Sequence, residues 1–252
     1  MISLVLVRHG KSEWSSQNRF AGWADVPLSA AGAEEARRAG AALAERGLVF
    51  DSCHTSYLKR ASQTLEIMLG AMHRRDVPFE RSWRLNERHY GALQGENRAK
   101  MALKHGNEQL IAWRRGYRDR PPSLADGDSR LANLDPLYAD IDPGLLPRSE
   151  CLEEAARRVV PWWQERMVPQ IRAGKRLLIV AHTSSLRGLV RLIENLGDSE
   201  AAAFKIPTAV PLVYGLDADL RVLDKQLLTD GWASRLRLLL NQHKPSSRIS
   251  WV

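Results

Sequence analysis

The sequence is poor in cysteine: two in 252 residues, Cys53 and Cys151, with no CxxC pair and no run of short spacings. Neither a disulfide framework nor a zinc knuckle finds support, and a reducing compartment, the cytoplasm, is expected. A chain of this length buries a large core without such staples. Long apolar runs are also missing. The run at 2–7 meets Arg8 at once, too short for a secretion signal or a bilayer span, and no later run is long enough either. Neither a leader nor a membrane partner is expected. There is no GxSxG elbow, P-loop, GxGxxG or HExxH. Serine-hydrolase, nucleotide-hydrolase, dinucleotide and zincin chemistries thus lack their local geometry, and no metal is expected.

Positive charge is what the chain has in excess: 37 Lys and Arg against 29 Asp and Glu, a formal charge of +8. That balance leaves three readings: a nucleic-acid surface, an anionic membrane surface, or a site for small polyanions. The basic residues are spread along the chain, with no zinc finger, RNP-like aromatic motif or basic heptad array, so nucleic acid is not expected as a partner.

Residues 2–7 form a β-branched and Leu run, and 177–181 (LLIVA) another, each the pattern of a strand buried on both faces of a parallel sheet. Between them the pattern predicts a helix over 30–46 with Ser29 as N-cap and Gly47 at its end, and a strand over 49–53. A helix over 57–72 capped by Ser56 and a strand over 77–81 follow. Strand, helix, strand, helix, strand is the order of α/β folds. From 91 to about 148 the texture turns to loops around a polar helical piece at 99–114, an insertion of the kind that covers a site. A helix over 150–171, interrupted at Pro161 and Pro169, places Trp162 and Trp163 on the core side, and 185–196 is the helix after LLIVA. The basic tail from about 235 has no evident packing role and could fold over the site.

In an open parallel sheet, ligands bind beyond the carboxyl ends of the strands. Two strands end directly in histidine: 2–7 leads into Arg8-His9-Gly10, and 177–181 into His182-Thr183-Ser184-Ser185. If both strands are central and point the same way, His9 and His182 converge. Arg60, in the first turn of its helix, pairs a guanidinium with free backbone amides, a combination that favours phosphate. Glu87 follows the third strand and could move a proton at the same edge. Arg114 and Arg115 add forks for phosphate or carboxylate. His54, His73, His89, His105 and His243 read as structural or surface residues.

Several runs together resemble the cofactor-dependent phosphoglycerate mutases, over about 4–217. They are Leu6-Val7-Arg8-His9-Gly10, Asn18-Arg19-Phe20 with Gly22-Trp23, Leu58-Lys59-Arg60-Ala61, and the run from Leu85 through Glu87-Arg88-His89-Tyr90-Gly91 to Gly95. Trp113-Arg114-Arg115-Gly116, Ala181-His182 with Ser185-Leu186-Arg187, and Pro207-Thr208 complete the set. RHG alone marks the wider histidine phosphatase superfamily, whereas ERHYGALQG and Trp-Arg-Arg are specific to the mutase branch.

The resemblance implies a single α/β catalytic domain over 1–252: three layers, a mostly parallel central sheet, helices on both faces, and the 91–148 insertion as part of a lid. It implies that His9 carries the phosphoryl group, that Arg8, Arg60 and His182 surround that group, and that Glu87 is general acid and base. Ser12, Gly22, Arg88, Tyr90, Arg98, Arg114, Arg115 and Ser184, with Arg8, Arg60 and Glu87, would hold the substrate. The implied reaction interconverts 3-phosphoglycerate and 2-phosphoglycerate, primed by 2,3-bisphosphoglycerate, in a homo-dimer or tetramer. The alternatives are a histidine phosphatase acting on a small phosphate ester and, more remotely, a non-catalytic polyanion-binding protein. The chain departs from the family's pattern at Lys11, Ser15, Ala21 and Arg98, and above all at Thr183-Ser184, where the family has Gly-Asn. A β-branched residue beside a phosphate site crowds what glycine leaves open.

Overall fold

A computed structural model describes residues 2–228 of the chain. In chain order the strands are β1 (Ile2–Arg8), β2 (Ser52–Thr55), β3 (Phe79–Arg81), β4 (Leu177–Ala181), β5 (Leu212–Leu216) and β6 (Val222–Leu227). The helices before β4 are α1 (Glu13–Ser16), α2 (Ala30–Glu45), α3 (Lys59–Ala71), α4 (Arg98–His105), α5 (Asn107–Arg115), α6 (Leu152–Trp162) and α7 (Val168–Arg172). After it come α8 (Thr183–Glu194) and α9 (Asp198–Ala203). The strands form one sheet in the order β3-β2-β4-β1-β5-β6, parallel from β3 to β1 and antiparallel at β5 and β6. This is the expected three-layer, mostly parallel architecture.

Alternation along β1 builds the layers. Leu4 and Leu6 face the side covered by Val159 and Trp163 and by Leu186, Leu189 and Val190 of α8. Val5 and Val7 face Ala36, Ala39 and Leu43 of α2 and Leu65 and Met68 of α3. All four β1 residues are fully buried, each contributing about 1.5–3 kcal/mol of transfer free energy. Burial on both faces also locks the register, because a one-residue slip would exchange the two sets.

Ser29 caps α2 as expected, its hydroxyl accepting from the Gly32 amide, and Gly47 follows the helix at φ +65°. Other boundaries moved. The second strand runs over Ser52–Thr55, not 49–53, and its polar residues are buried; Thr55 donates its hydroxyl to Val180 O at 2.8 Å. Ser56 does not cap α3, which starts at Lys59 after Leu58. The expected 99–114 piece is two helices, divided at Gly106, whose φ of +84° no helix accommodates. Pro161 lies inside α6 without ending it. A π turn at Trp163–Met167 follows and carries the chain into α7, with Pro169 near the start of α7, where its missing N–H costs nothing. Trp163 is buried, but Trp162 is only partly so. Helix α8 begins at Thr183, two residues earlier than expected, because His182 is its N-cap residue. Strands β5 and β6 had no counterpart among the expected elements. The basic tail from about 235 lies outside the described residues. Among those described, no helix is long and apolar enough to cross a membrane.

The 91–148 segment is docked through two small clusters. Leu93, Leu110 and Trp113 pack on Phe20. Ala132 and Tyr138 pack on Trp23 and Trp83, with the Tyr138 ring stacked on Trp23 at 5.1 Å.

Candidate active site

Strands β1 and β4 are parallel neighbours in a register that sets Arg8 opposite Ala181, so the next residue on each chain is a histidine. The His9 amide continues the ladder to Ala181 O at 3.0 Å. The two imidazoles face each other with centroids 4.8 Å apart, tilted by 58°. Strand register alone therefore brings together two residues 173 positions apart in the chain.

The His9 ring is oriented by its own backbone: Nδ1 lies 2.6 Å from Gly10 O. A carbonyl only accepts, so Nδ1 carries the proton and Nε2 holds the free lone pair. Burial, then the guanidinium charges of Arg60 and Arg8, push the His9 pKa well below its ordinary 6.5. His9 is thus a neutral imidazole at physiological pH, with Nε2 able to attack. His182 is neutral for the same reasons, burial first and Arg60 next. Its Nε2 meets Ser56 Oγ at 2.7 Å, and its Nδ1 is buried without a partner. Ser56, read from the sequence as a helix cap, orients the second histidine.

Arg60 is buried in the first turn of α3, its Nη1 donating to Ala24 O at 2.9 Å and its Nη2 to Gly22 O at 2.7 Å. Burial lowers it to about 10, so it remains a cation at neutral pH. Gly22 has φ +53°, and a Cβ there would collide with the Gln94 side chain, whose Oε1 accepts from the Trp23 amide. Arg8 donates Nη1 to Ile206 O at 3.2 Å, while its Nε is buried without a partner. Ser12 is buried as the N-cap of α1, its hydroxyl engaged with Ser15. Lys11 turns away to the surface, pairing with Glu35.

Glu87 approaches from the loop after Leu85. Its Oε1 accepts from the Arg88 amide at 2.8 Å and the Ser184 amide at 3.1 Å, at the N-terminus of α8, where the helix dipole favours an anion. Burial pushes its carboxyl up. Hydrogen bonding by Ser184 and the Arg88 amide, with the charges of Arg88 and Arg60, outweighs burial and holds it below the usual carboxylate value. The free site thus holds an ionised Glu87, with Oε1 taken by two backbone amides.

A second group of cations surrounds Glu87. Arg88 is buried, its Nη2 donating to Tyr90 Oη at 3.1 Å and Arg114 O at 2.8 Å; its Nε and Nη1 have no partner. Arg98 has a buried, unpartnered Nε, and its charge interacts with Arg114, Tyr90, Arg8 and Glu87. Arg115 is exposed and no contact ties it to this group. Arg187 of α8 belongs to it, interacting with Glu87, Arg88, Tyr90 and Arg8. Sequence reasoning quoted Arg187 within a motif without giving it a place in the site; its position five residues after His182, one helical turn and a half on, was the available signal. Buried guanidinium nitrogens without acceptors are costly, and an anion carrying several oxygens would satisfy them. Among the described residues no group of three or more His, Cys, Asp or Glu is arranged to hold a metal ion.

A family model described as the histidine phosphatase superfamily (branch 1) matches residues 4–225. Solved structures with the same fold include the alpha-ribazole phosphatase of Shigella flexneri, 19% identical, covering 91% of this chain and 96% of that one, TM-score 0.67. A mycobacterial glucosyl-3-phosphoglycerate phosphatase is 21% identical over 91% of this chain and 98% of its own, TM-score 0.65. Bacillus stearothermophilus YhfR is 21% identical over 91% and 96%, TM-score 0.66.

Proposed function

The chain belongs to the histidine phosphatase superfamily, and from that premise we propose that it interconverts 3-phosphoglycerate and 2-phosphoglycerate through phosphohistidine 9, primed by 2,3-bisphosphoglycerate. The observation that carries this reading is the second set of cations. One phosphoryl group beside His9 occupies Arg8, Arg60 and His182. The unpartnered nitrogens of Arg88 and Arg98, with Arg114 near them, ask for a second anionic group on the same small molecule. The ERHYGALQG run and Trp113-Arg114-Arg115 support the same substrate class.

In the first half-reaction the acceptor hydroxyl gives its proton to Glu87 Oε2 as its oxygen bonds to phosphorus and the bond from phosphorus to His9 Nε2 breaks. In the second, Nε2 bonds to the other phosphoryl group, that ester bond breaks, and Glu87 returns the proton to the leaving oxygen. Glu87 thus shuttles one proton, and its ionised resting state suits a cycle that starts from the phosphoenzyme. The Nδ1 bond to Gly10 O steadies the positive charge of the phosphorylated ring, and Arg8 and Arg60 balance the transferring oxygens. The 91–148 segment acts as the lid that keeps water from the phosphohistidine.

A second reading is hydrolysis of a small phosphate ester, with water in place of the acceptor hydroxyl and Glu87 as its base. It is favoured by the phosphatase names of the solved structures and by Thr183 at the head of α8, where a side chain replaces the glycine of the mutase pattern. One assay separates the two: 3-phosphoglycerate with and without 2,3-bisphosphoglycerate, followed for 2-phosphoglycerate and free phosphate together. Primer-dependent interconversion with little phosphate is the expected result; phosphate without interconversion would replace the mutase by the phosphatase. Absence of both, with no labelling of His9, would leave only anion binding.

A further inference from the structure

Glu87 is held twice, and only one of the holds lies in the site. Its carboxylate is taken by the N-terminus of α8, but its main chain is taken from behind by a buried ion pair between Arg158 of α6 and Glu150 just before that helix. Arg158 and Glu150 are both nearly inaccessible to solvent. Arg158 Nε donates to Glu150 Oε1 at 2.6 Å and Nη2 to Oε2 at 3.1 Å. The remaining donors all go to the backbone of the loop: Nη1 to Trp83 O at 3.3 Å and Arg84 O at 2.6 Å, Nη2 to Asn86 O at 2.9 Å and Glu87 O at 2.9 Å. Glu150 closes the other end, Oε2 accepting from the His89 amide at 2.8 Å while its own amide donates to His89 O at 2.8 Å.

A buried ion pair is weak as a source of stability, because desolvation cancels most of its attraction. Here the pair spans the carbonyls and amide of residues 83–89, with Glu87 inside the span, and a planar guanidinium fixes several acceptors in one plane as a lysine cannot. We infer that Arg158, keyed by Glu150, is a positioning residue that sets the reach of Glu87 for proton transfer, without touching the substrate itself. This rests on the reading of Glu87 as the general acid and base.

The test uses two aryl phosphates that differ in how much they need an acid. 4-Nitrophenolate leaves without a proton, whereas phenolate, the more basic leaving group, needs one from Glu87, whose carboxylate takes up a proton as the negatively charged ester binds beside it. The rate of phenol release in the first turnover, as His9 is phosphorylated, is measured for the wild type, R158K, E87Q and the double variant. R158K keeps a cation beside Glu150; the paired swap R158M/E150Q, which buries no lone charge and keeps an acceptor for the His89 amide, stands in if R158K does not fold. The expected result in R158K is a loss of about 10²-fold with phenyl phosphate, the scale of an ångström's misplacement, and under about threefold with 4-nitrophenyl phosphate. The double variant should be no slower than E87Q alone, since the positioning acts only through that carboxyl. Equal losses on both esters in R158K, with E87Q discriminating between them, would reduce Arg158 to a structural role. If E87Q itself does not discriminate, the general-acid reading of Glu87 falls and the inference with it.

Discussion

The carboxyl edge of the parallel strands and the 91–148 segment hold the residues of the candidate site by different means. At the sheet edge, His9 and His182 are placed by strand register and main-chain hydrogen bonds, with buried Arg60 donating to two carbonyls. In the segment, α4 buries no residue, α5 buries only Leu110 and Trp113, and the chain beyond is tied by exposed ion pairs such as Arg148–Asp126. Arg98 and Arg114 therefore rest on a thin cluster around Phe20, not on the central core. The difference separates two tasks. Under the proposed function, bond making falls to parts that move only if the fold opens, and substrate grip to parts that two small clusters hold in place.

Three measurements sharpen or break that division, and the first tests the edge. His9→Ala should abolish phosphoryl labelling and lower kcat by at least about 10⁴-fold, the scale on which removing an activated nucleophile acts. Retained labelling in that variant would sink the assignment. The second concerns stability. Burial pushes His54 and His89 down to about 4 and about 3, while the unfolded chain titrates at 6.5. Above pH 6.5 both states are neutral. Below it the unfolded chain takes up protons that the folded one refuses, so stability falls with falling pH. The slope from these two residues is about 3 kcal/mol per pH unit between 6.5 and 4, at about 1.4 for each. Denaturant midpoints followed by circular dichroism at pH 7 and pH 5 check it; equal midpoints would contradict the burial argument. The third tests the insertion. Arg98→Ala should raise KM about 10- to 100-fold and leave kcat within a few-fold, as removal of one charge-assisted hydrogen bond would. An equal loss in kcat with KM unchanged would move Arg98 into the bond-making group and erase the distinction.

What could be read from the sequence follows the same line. Strands β1 and β4 are written in apolar runs, broken in β1 only at Ser3, and α2 in its Ser29 cap, so the convergence of His9 and His182 was legible in the sequence. Strand β2 was misplaced because Ser52, His54 and Thr55 are polar yet buried, and the acceptor that Thr55 finds, Val180 O, is supplied only by the assembled sheet. Strands β5 and β6 were missed because β5 exists by antiparallel pairing with β1, more than two hundred residues earlier, and β6 is a half-exposed edge. Ser56, Glu150 and Arg158 carry ordinary helix and cap identities; their importance lies in what they touch across the fold. Local pattern encodes elements, and long-range acceptors do not show in it.

The order of the sheet has a consequence for how this protein is made on the ribosome. Of the six described strands β1 leaves the exit tunnel before the others, yet its two neighbours, β4 and β5, are the fourth and fifth of these six. Among the described residues up to 176 the only ladder that can close is β2 with β3. A strand whose residues Leu4, Val5, Leu6 and Val7 are destined for full burial must wait, unpaired on both edges, until the LLIVA segment arrives to slot between it and β2. The nascent chain therefore carries an open seam at the place where the two histidines will later meet, and the pairing of those histidines exists only when that seam is sealed.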